Sequence, residues 1–245
     1  MGFKCNNMLD KIMVILRGFG LIMLYMFLAP ILMILFKSLP FSDTFIGKNI
    51  TYILAELVTM LILIAIFHQR FFKDWKDFKV NYKKYLKQVI FYWIIGFVLM
   101  FLSNILINTI ISDGIAVNES ANRNTLATLP IYSVLAMCIM APICEELLFR
   151  ASFKEAFKHA ITFSLFTGIL FAGMHVATGI ESWSISYLAK NWHELLYFIP
   201  YGSVGVAFGY AFYKTNNIFS SISLHMLHNT ISVAFIFLAT LLGGA

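Results

Sequence analysis

Charged side chains are scarce in this sequence: Asp, Glu, Lys and Arg together account for only 12% of its 245 residues, whereas 60% are hydrophobic. A soluble globular domain carries about 25% charged residues, so this chain has too few of them to cover a surface that faces water. Its mean hydropathy of +0.81 agrees with that reasoning. The composition therefore excludes a soluble domain and predicts an integral membrane protein embedded in a lipid bilayer.

Cysteine is also rare, and the three residues Cys5, Cys138 and Cys144 predict no disulfide framework because their number is odd and two lie in or beside apolar segments. The sequence also lacks a basic–aromatic motif of the RNA-binding type. Its net charge of +6 is therefore interpreted as a topology signal, and no nucleic-acid partner is expected.

Seven apolar stretches approach the roughly 20 residues that a membrane-spanning helix needs, and lipid forces them to be helical because it offers the backbone no hydrogen-bond partner. The first lacks a small-x-small cleavage site, so we interpret it as an uncleaved helix rather than a signal peptide. The predicted fold is all-α, a polytopic transmembrane helix bundle with about seven to eight spans, the eighth being a short helix or re-entrant segment near 180–194. We divide the chain into N-terminal transmembrane helices, 1–125, and a transmembrane core, 126–245. The seven stretches are 18–36, 49–67, 89–111, 126–148, 161–178, 195–213 and 218–242.

The distribution of Lys and Arg indicates an orientation. If the N-terminus is cytoplasmic and the spans alternate, fourteen of the 18 Lys and Arg residues lie on the cytoplasmic side, seven of them in the polar segment 68–88. The positive-inside rule therefore predicts a multi-pass protein of the cell membrane with a cytoplasmic N-terminus. The four residues on the outer side are Lys37, Lys48, Arg123 and Lys190.

Ionisable and amide side chains at membrane depth cluster in the second half of the chain. Charge inside a bilayer is costly, so such residues are functional candidates by default. Glu56, in the second apolar stretch, is an exception without polar neighbours, and we expect it to pair with another helix. The cluster comprises Glu145, Glu146, His175, His225, His228 and Asn229.

Helical spacing allows members of this cluster to meet. If the fourth helix continues to a turn near 159–160, Glu145 lies about fifteen residues before the turn and His175 about fifteen after it, so an antiparallel hairpin brings them to one depth. His225 and Asn229 follow a short connection and are expected at a compatible depth. Because they are four residues apart on a helix, both can face the same point.

The same spacing separates the roles of the two adjacent glutamates. Glu146 and Arg150 are four residues apart and can pair on one helix face, whereas Glu145 is rotated by about 100° and is free to point elsewhere. Pro142 removes a backbone hydrogen bond just before them and is expected to kink the helix.

Three motifs in this region resemble those of the family of CAAX prenyl endopeptidases and bacteriocin-processing or immunity membrane proteins, also called the CPBP or abortive-infection family. The family pattern is EExxxR, then FxxxH, then HxxxN or HxxxD. Each motif alone is weak, but here all three occur in order, each on an apolar stretch, over roughly residues 126–235. The matching residues are Glu145, Glu146 and Arg150, then Phe171 and His175, then His225 and Asn229.

The resemblance implies an intramembrane endopeptidase that cleaves a membrane-associated peptide or protein, with its active site in a conical cavity open to the cytosol and to lipid. A chain with so little soluble mass looks bacterial, which favours peptide maturation or bacteriocin self-immunity over prenyl processing. The roles implied are water activation for Glu145 and His175, oxyanion stabilisation for a neutral His225 and for Asn229, and structural support for Glu146 and Arg150.

A metal site is the chemical alternative. Glu145, His175 and His225 could form a catalytic Zn²⁺ set with water as the fourth ligand. The HxxxN pair fits an oxyanion hole equally well, so no cofactor is expected to be required. The dipeptide His193-Glu194 is not interpreted as a zincin motif because no second His follows at the required spacing.

Two other functions remain alternatives. A non-catalytic, peptide-binding immunity protein of the same fold would keep the bundle without needing intact motifs. A transporter or channel would spread its ionisable residues over the depth of several helices, often in internal repeats. The sequence shows one cluster and no repeat, which favours the endopeptidase.

Overall fold

The computed structural model describes residues 7–111, 115–178, 180, 182 and 184–242, which form helices and the turns between them. Lys4 and Cys5 lie outside these residues. So do residues 112–114, in the polar segment between the third and fourth apolar stretches. The α-helices are α1 (Met8–Phe36), α2 (Phe45–Ile66), α3 (His68–Ile110), α4 (Val117–Thr128), α5 (Pro130–Leu135), α6 (Ala141–Glu146), α7 (Ala160–Ala177), α8 (Ile185–Lys190), α9 (Phe198–Thr215) and α10 (Ile218–Leu241).

Seven helical segments in the described part of the chain are long and apolar enough to cross a membrane. This confirms the all-α polytopic bundle, and each segment overlaps one predicted stretch. The candidate eighth segment near 180–194 contains α8, whose six residues are far short of the roughly 20 that a span needs. The division of the chain at residue 125 stays a prediction.

The polar segment 68–88 is helical, and α3 therefore runs for 43 residues. Its polar residues support a helix by pairing at a spacing of four: Arg70 Nε donates to Asp74 Oδ2 at 2.7 Å, and Asn81 Nδ2 donates to Asp77 Oδ1 at 2.8 Å. A polar helix of this kind is stable outside lipid. The apolar pattern therefore predicted only the C-terminal part of α3, residues 89–111.

The α9–α10 turn is attached to the basic end of α3. Asn216 adopts a left-handed conformation with φ of 51°, and its backbone oxygen accepts a hydrogen bond of 2.6 Å from Arg70 Nη2. Asp74 Oδ2 accepts a 2.8 Å bond from the backbone N–H of Ile218, the first residue of α10. These contacts fix the start of the helix that carries His225.

The fourth span, Pro130–Ala156, changes helical register around the two glutamates. It consists of α5, a π-helical segment Ala136–Met140, α6, a second π-helical segment Leu147–Ala151 and a 3₁₀ turn Lys154–Ala156. π-Helical turns inside α-helices are frequent at functional sites. Pro142 follows the first π-helical segment by two residues, and the kink expected there stays a prediction. The expected continuation as a regular helix to 159–160 is wrong, because π and 3₁₀ turns interrupt the span.

Helices α7 and α9 approach closely because glycines face each other in their interface. A Cβ on Gly168 would lie 2.5 Å from Val206 Cγ2 and 2.8 Å from the Val206 backbone N. A Cβ on Gly205 would lie 3.1 Å from Gly168 Cα. Small residues at helix contacts let membrane helices pack tightly, and this packing sets the distance between His175 on α7 and the residues of α9.

Between the first two helices, Tyr25 donates a hydrogen bond of 3.1 Å to Glu56 Oε1. The expected pairing of Glu56 with another helix is thus confirmed.

Candidate active site

Glu146 lies at the centre of a buried charge network. Its Oε1 is 3.1 Å from Arg150 Nη1 and 2.9 Å from His225 Nδ1, and the side chains of Glu146 and Arg150 are both 0% exposed. The predicted pairing of Glu146 with Arg150 is present. The contact with His225, which joins the fourth span to α10, was not expected from the sequence.

Arg150 extends this network to two further helices. Its Nη2 donates a hydrogen bond of 2.8 Å to the backbone oxygen of Gly205 on α9. Its guanidinium carbon lies 5.0 Å from the ring centroid of Phe171 on α7 and 5.7 Å from that of Phe208 on α9. Such placement over aromatic faces stabilises a cation, so Arg150 connects the fourth span to α7 and α9.

His225 is held in one orientation by its neighbours. Its ring is stacked on Phe208 at a centroid distance of 4.5 Å and meets the Phe171 ring edge-on at 5.5 Å. Because Glu146 Oε1 faces a guanidinium, it is an ionised acceptor, and Nδ1 of His225 is the donor of their hydrogen bond. Nε2 then points to Glu145, whose Oε2 lies 3.7 Å away.

Glu145 differs from Glu146 in its access to water. Its side chain is 17% exposed, and the 3.7 Å separation of Oε2 from His225 Nε2 is longer than a direct hydrogen bond. Oε2 itself is buried and has no hydrogen-bond partner among the described residues, while the Glu145 side chain lines the cavity. Adjacent glutamates thus occupy two environments, one dry and paired, the other open to a cavity.

His175 is fixed by its own helix and by α9. Its Nδ1 lies 2.8 Å from the backbone oxygen of Phe171, which can only accept, so Nδ1 is the donor, and in the neutral ring Nε2 keeps its lone pair. The ring is stacked on Tyr201 with a centroid distance of 4.7 Å and lies 4.3 Å from the Phe171 ring. His175 therefore offers an unprotonated nitrogen in a constrained orientation.

Asn229 is bonded to the fourth span: its Nδ2 donates to the backbone oxygen of Met137 at 2.8 Å. This oxygen is free because the N–H of Ala141 donates to Ala136 O in the π turn and the next residue, Pro142, has no N–H. Pro142 thereby creates an acceptor for Asn229.

These side chains surround one cavity of about 670 Å³. The structure brings together four predicted site residues on its wall: Glu145, His175, His225 and Asn229. Glu146 and Arg150 lie fully buried beneath them. His228 also reaches the wall, packed between the rings of Phe97 at 5.8 Å and Phe208 at 5.9 Å, as a packing residue would be.

The suggested metal set does not match the donor arrangement. In the described part of the chain, no group of three His, Cys, Asp or Glu side chains is placed to hold a metal ion. Nδ1 of His225 is bonded to Glu146, and Nδ1 of His175 is bonded to Phe171 O. Each ring keeps Nε2 for a ligand, as metal-binding histidines do, so the observation against this set is that no three of the described donors are placed around a common point.

The cavity also contains residues that the motifs did not indicate. Tyr201 stacks on His175 and Phe208 on His225, and no sequence signal distinguished them from other aromatic core residues. The outer wall carries the amides of Asn104, Asn108, Asn118 and Asn122. Their spacing of four along α3 and α4 was the signal that could have identified them.

In a comparison with protein families, the model for type II CAAX prenyl endopeptidases, described as Rce1-like, matches residues 127–231. The matched segment contains all three motifs and nearly coincides with the region of resemblance at 126–235. No curated protein and no solved structure matches the chain.

Proposed function

We propose that this chain, whose residues 127–231 match the family model of Rce1-like type II CAAX prenyl endopeptidases, is an intramembrane endopeptidase that hydrolyses a peptide bond of a membrane-associated peptide or protein. The observation that carries this proposal is the single cavity that Glu145, His175 and His225 line. The biological role that we propose for this cleavage is peptide maturation or bacteriocin self-immunity.

In the proposed reaction, Glu145 and His175 activate the attacking water. Glu145 is an accessible carboxylate, and His175 presents the unprotonated Nε2 described above. A positioned carboxylate or imidazole that removes a proton in the transition state contributes about 10²–10⁴-fold in rate. Glu145 takes the proton from water as its oxygen attacks the carbonyl carbon, and the proton later passes to the leaving amine.

His225 and Asn229 stabilise the oxyanion. His225 already uses Nδ1–H toward Glu146, so donation from Nε2 requires a ring protonated at both nitrogens. In the neutral His225 expected from the sequence, only one ring nitrogen carries a proton. Asn229 has a second amide hydrogen beyond the one bonded to Met137 O.

The seven apolar spans make this a multi-pass membrane protein. We place it in the cell membrane with its N-terminus in the cytoplasm, on the distribution of Lys and Arg. No cofactor is required in this reaction, since each proton transfer is assigned to a side chain of the chain itself.

The test compares peptides from cells that express the native chain or Glu145→Gln at equal abundance. Glu155→Gln, a carboxyl-to-amide change at the C-terminal end of the fourth span, is the matched control. New peptide termini present with the native chain and Glu155→Gln, and absent with Glu145→Gln, are expected. Identical peptides in all three strains, with an immunity phenotype that survives Glu145→Gln, would instead indicate a non-catalytic peptide-binding protein.

A further inference from the structure

The cavity extends from the catalytic residues toward one end of the helix bundle. Its inner wall holds Glu145 and His225, and its outer wall holds residues from the C-terminal end of α3 and from α4. The C-terminal end of α7, the N-terminal end of α9 and the C-terminal half of α10 complete the outer wall, with Glu119, Arg123, Tyr197 and Ile236 among the lining residues. All these segments lie at the same end of the bundle because neighbouring spans alternate in direction.

The basic residues lie at the other end. Helix α3 contains both: its N-terminal half carries seven Lys and Arg residues between 70 and 87, while Asn104 and Asn108 follow in its C-terminal half. Arg70 and Asn108 are separated by roughly 55 Å at 1.5 Å per residue. The α9–α10 turn, bonded to Arg70, and the 3₁₀ turn with Lys154 also lie at the basic end.

From this arrangement we infer that the cavity opens on the extracytoplasmic side of the membrane and takes its peptide from there. The positive-inside rule places the end with the excess of Lys and Arg in the cytoplasm. The opening lies at the opposite end and therefore faces outward. The inference rests on the proposed function, and it differs from the cytosolic opening that the family resemblance implied.

The outer wall indicates the chemistry that the opening accepts. The four asparagines named above form an outer amide cluster: Asn104, Asn108, Asn118 and Asn122. An amide side chain both donates and accepts hydrogen bonds, as the main chain of an extended peptide does. Two charged residues lie beside this cluster, and they pair with each other, Arg123 Nε with Glu119 Oε1 at 3.0 Å. Their opposite charges leave the surroundings of the cluster close to neutral.

A hydrogen bond links the amide cluster to the catalytic residues. Asn118 Nδ2 donates to Tyr201 Oη at 3.2 Å, and Tyr201 stacks on His175. A peptide main chain bound by the amides would thus lie against the side chain that orients His175. The ligand is the extracytoplasmic segment of a membrane-associated peptide, bound through its main chain.

Membrane-impermeant maleimide labelling of single introduced cysteines tests the direction. Asn108→Cys and Val117→Cys probe the opening, where Val117 is 41% exposed, and Lys76→Cys probes the exposed basic end; the unsubstituted chain gives the background from native cysteines. We expect Asn108→Cys and Val117→Cys to label equally in intact and permeabilised cells, and Lys76→Cys only after permeabilisation. The reverse pattern overturns the inference, as does absence of labelling at both opening positions under both conditions.

The same labelled cells test whether the opening is the route of the substrate. Maleimide attached to Asn108→Cys from outside should abolish peptide cleavage, whereas the unsubstituted chain treated identically should keep it. Full cleavage by labelled Asn108→Cys would overturn this route. If the native chain cleaves no peptide, the proposed function fails, while the labelling pattern still decides the direction of the opening.

Discussion

The side-chain amide of Asn229 donates a hydrogen bond to the backbone oxygen of Met137, 92 residues earlier in the chain, at 2.8 Å. The acceptor is free only because a π turn diverts the N–H of Ala141 and Pro142 has none. A family motif residue on α10 is thus positioned by an irregularity in the fourth span. In the proposed reaction Asn229 therefore has two separable roles, one in helix packing and one in oxyanion stabilisation.

Substitutions at Asn229 and Pro142 separate these roles. Asn229→Ala should lower kcat by about 10²–10³-fold, the cost of one oxyanion donor, and should also lower the melting temperature because Met137 O loses its partner. In the double variant Pro142→Ala/Asn229→Ala, a backbone N–H can return to that oxygen. We expect thermal stability to recover while kcat stays low; recovery of kcat would assign Asn229 a purely structural role.

Loss of the Glu146 carboxylate should destabilise the protein. Glu146→Gln leaves the fully buried Arg150 without its counter-charge, and breaking a buried pair costs about 3–5 kcal/mol. The control is Glu119→Gln, which breaks another pair at a spacing of four, with Arg123, whose side chains are 34% and 38% exposed. That exposed pair contributes about 0.5 kcal/mol or less. Thermal unfolding in detergent measures both, and equal changes would contradict a buried network.

The α7–α9 interface should not tolerate a methyl group at Gly168. Gly168→Ala places Cβ 2.8 Å from the backbone N of Val206, which cannot move aside as a flexible side chain would, and overpacking of this kind costs about 1–3 kcal/mol. At Gly20 in α1, nothing lies within 4 Å of an added Cβ. Unfolding of Gly20→Ala should match or exceed the native stability, and an equally stable Gly168→Ala would show that the interface is loose.

Metal removal should leave cleavage unchanged. The described donors form no group of three that could hold a metal ion, so protein dialysed against EDTA and then 1,10-phenanthroline is expected to keep the rate of an untreated sample. Rate measurements with and without added Zn²⁺ check this. Loss of cleavage on chelation, followed by recovery with one equivalent of Zn²⁺, would restore the Zn²⁺ set of Glu145, His175 and His225.

The sequence predicted the fold well because the length of apolar stretches is a direct consequence of bilayer thickness. It did not predict that α3 begins at His68, since a polar helix outside lipid has no hydropathy signal. The π segments around Glu145 were also beyond prediction. The first of them, Ala136–Met140, is linked to Asn229, which is remote in sequence, by the hydrogen bond to Met137 O.

At the site, spacing along each helix predicted which residues could share a face, as with Glu146 and Arg150. It could not predict the hydrogen bond between Glu146 and His225, because that contact depends on how α10 is rotated against the fourth span. Nor did it indicate Tyr201, whose importance comes only from stacking on His175. The catalytic roles of the motif residues stay predictions.

Cleavage by purified protein in liposomes tests the central claim most directly. Native chain, Glu145→Gln and Glu155→Gln would each be given a lipid-anchored peptide that spans a terminus found in the cell comparison, and initial rates would be measured. We expect a rate at least about 10²-fold lower for Glu145→Gln, with an unchanged melting temperature, and a native rate for Glu155→Gln. Cleavage by Glu145→Gln at the native rate would contradict the assignment of Glu145 as the base.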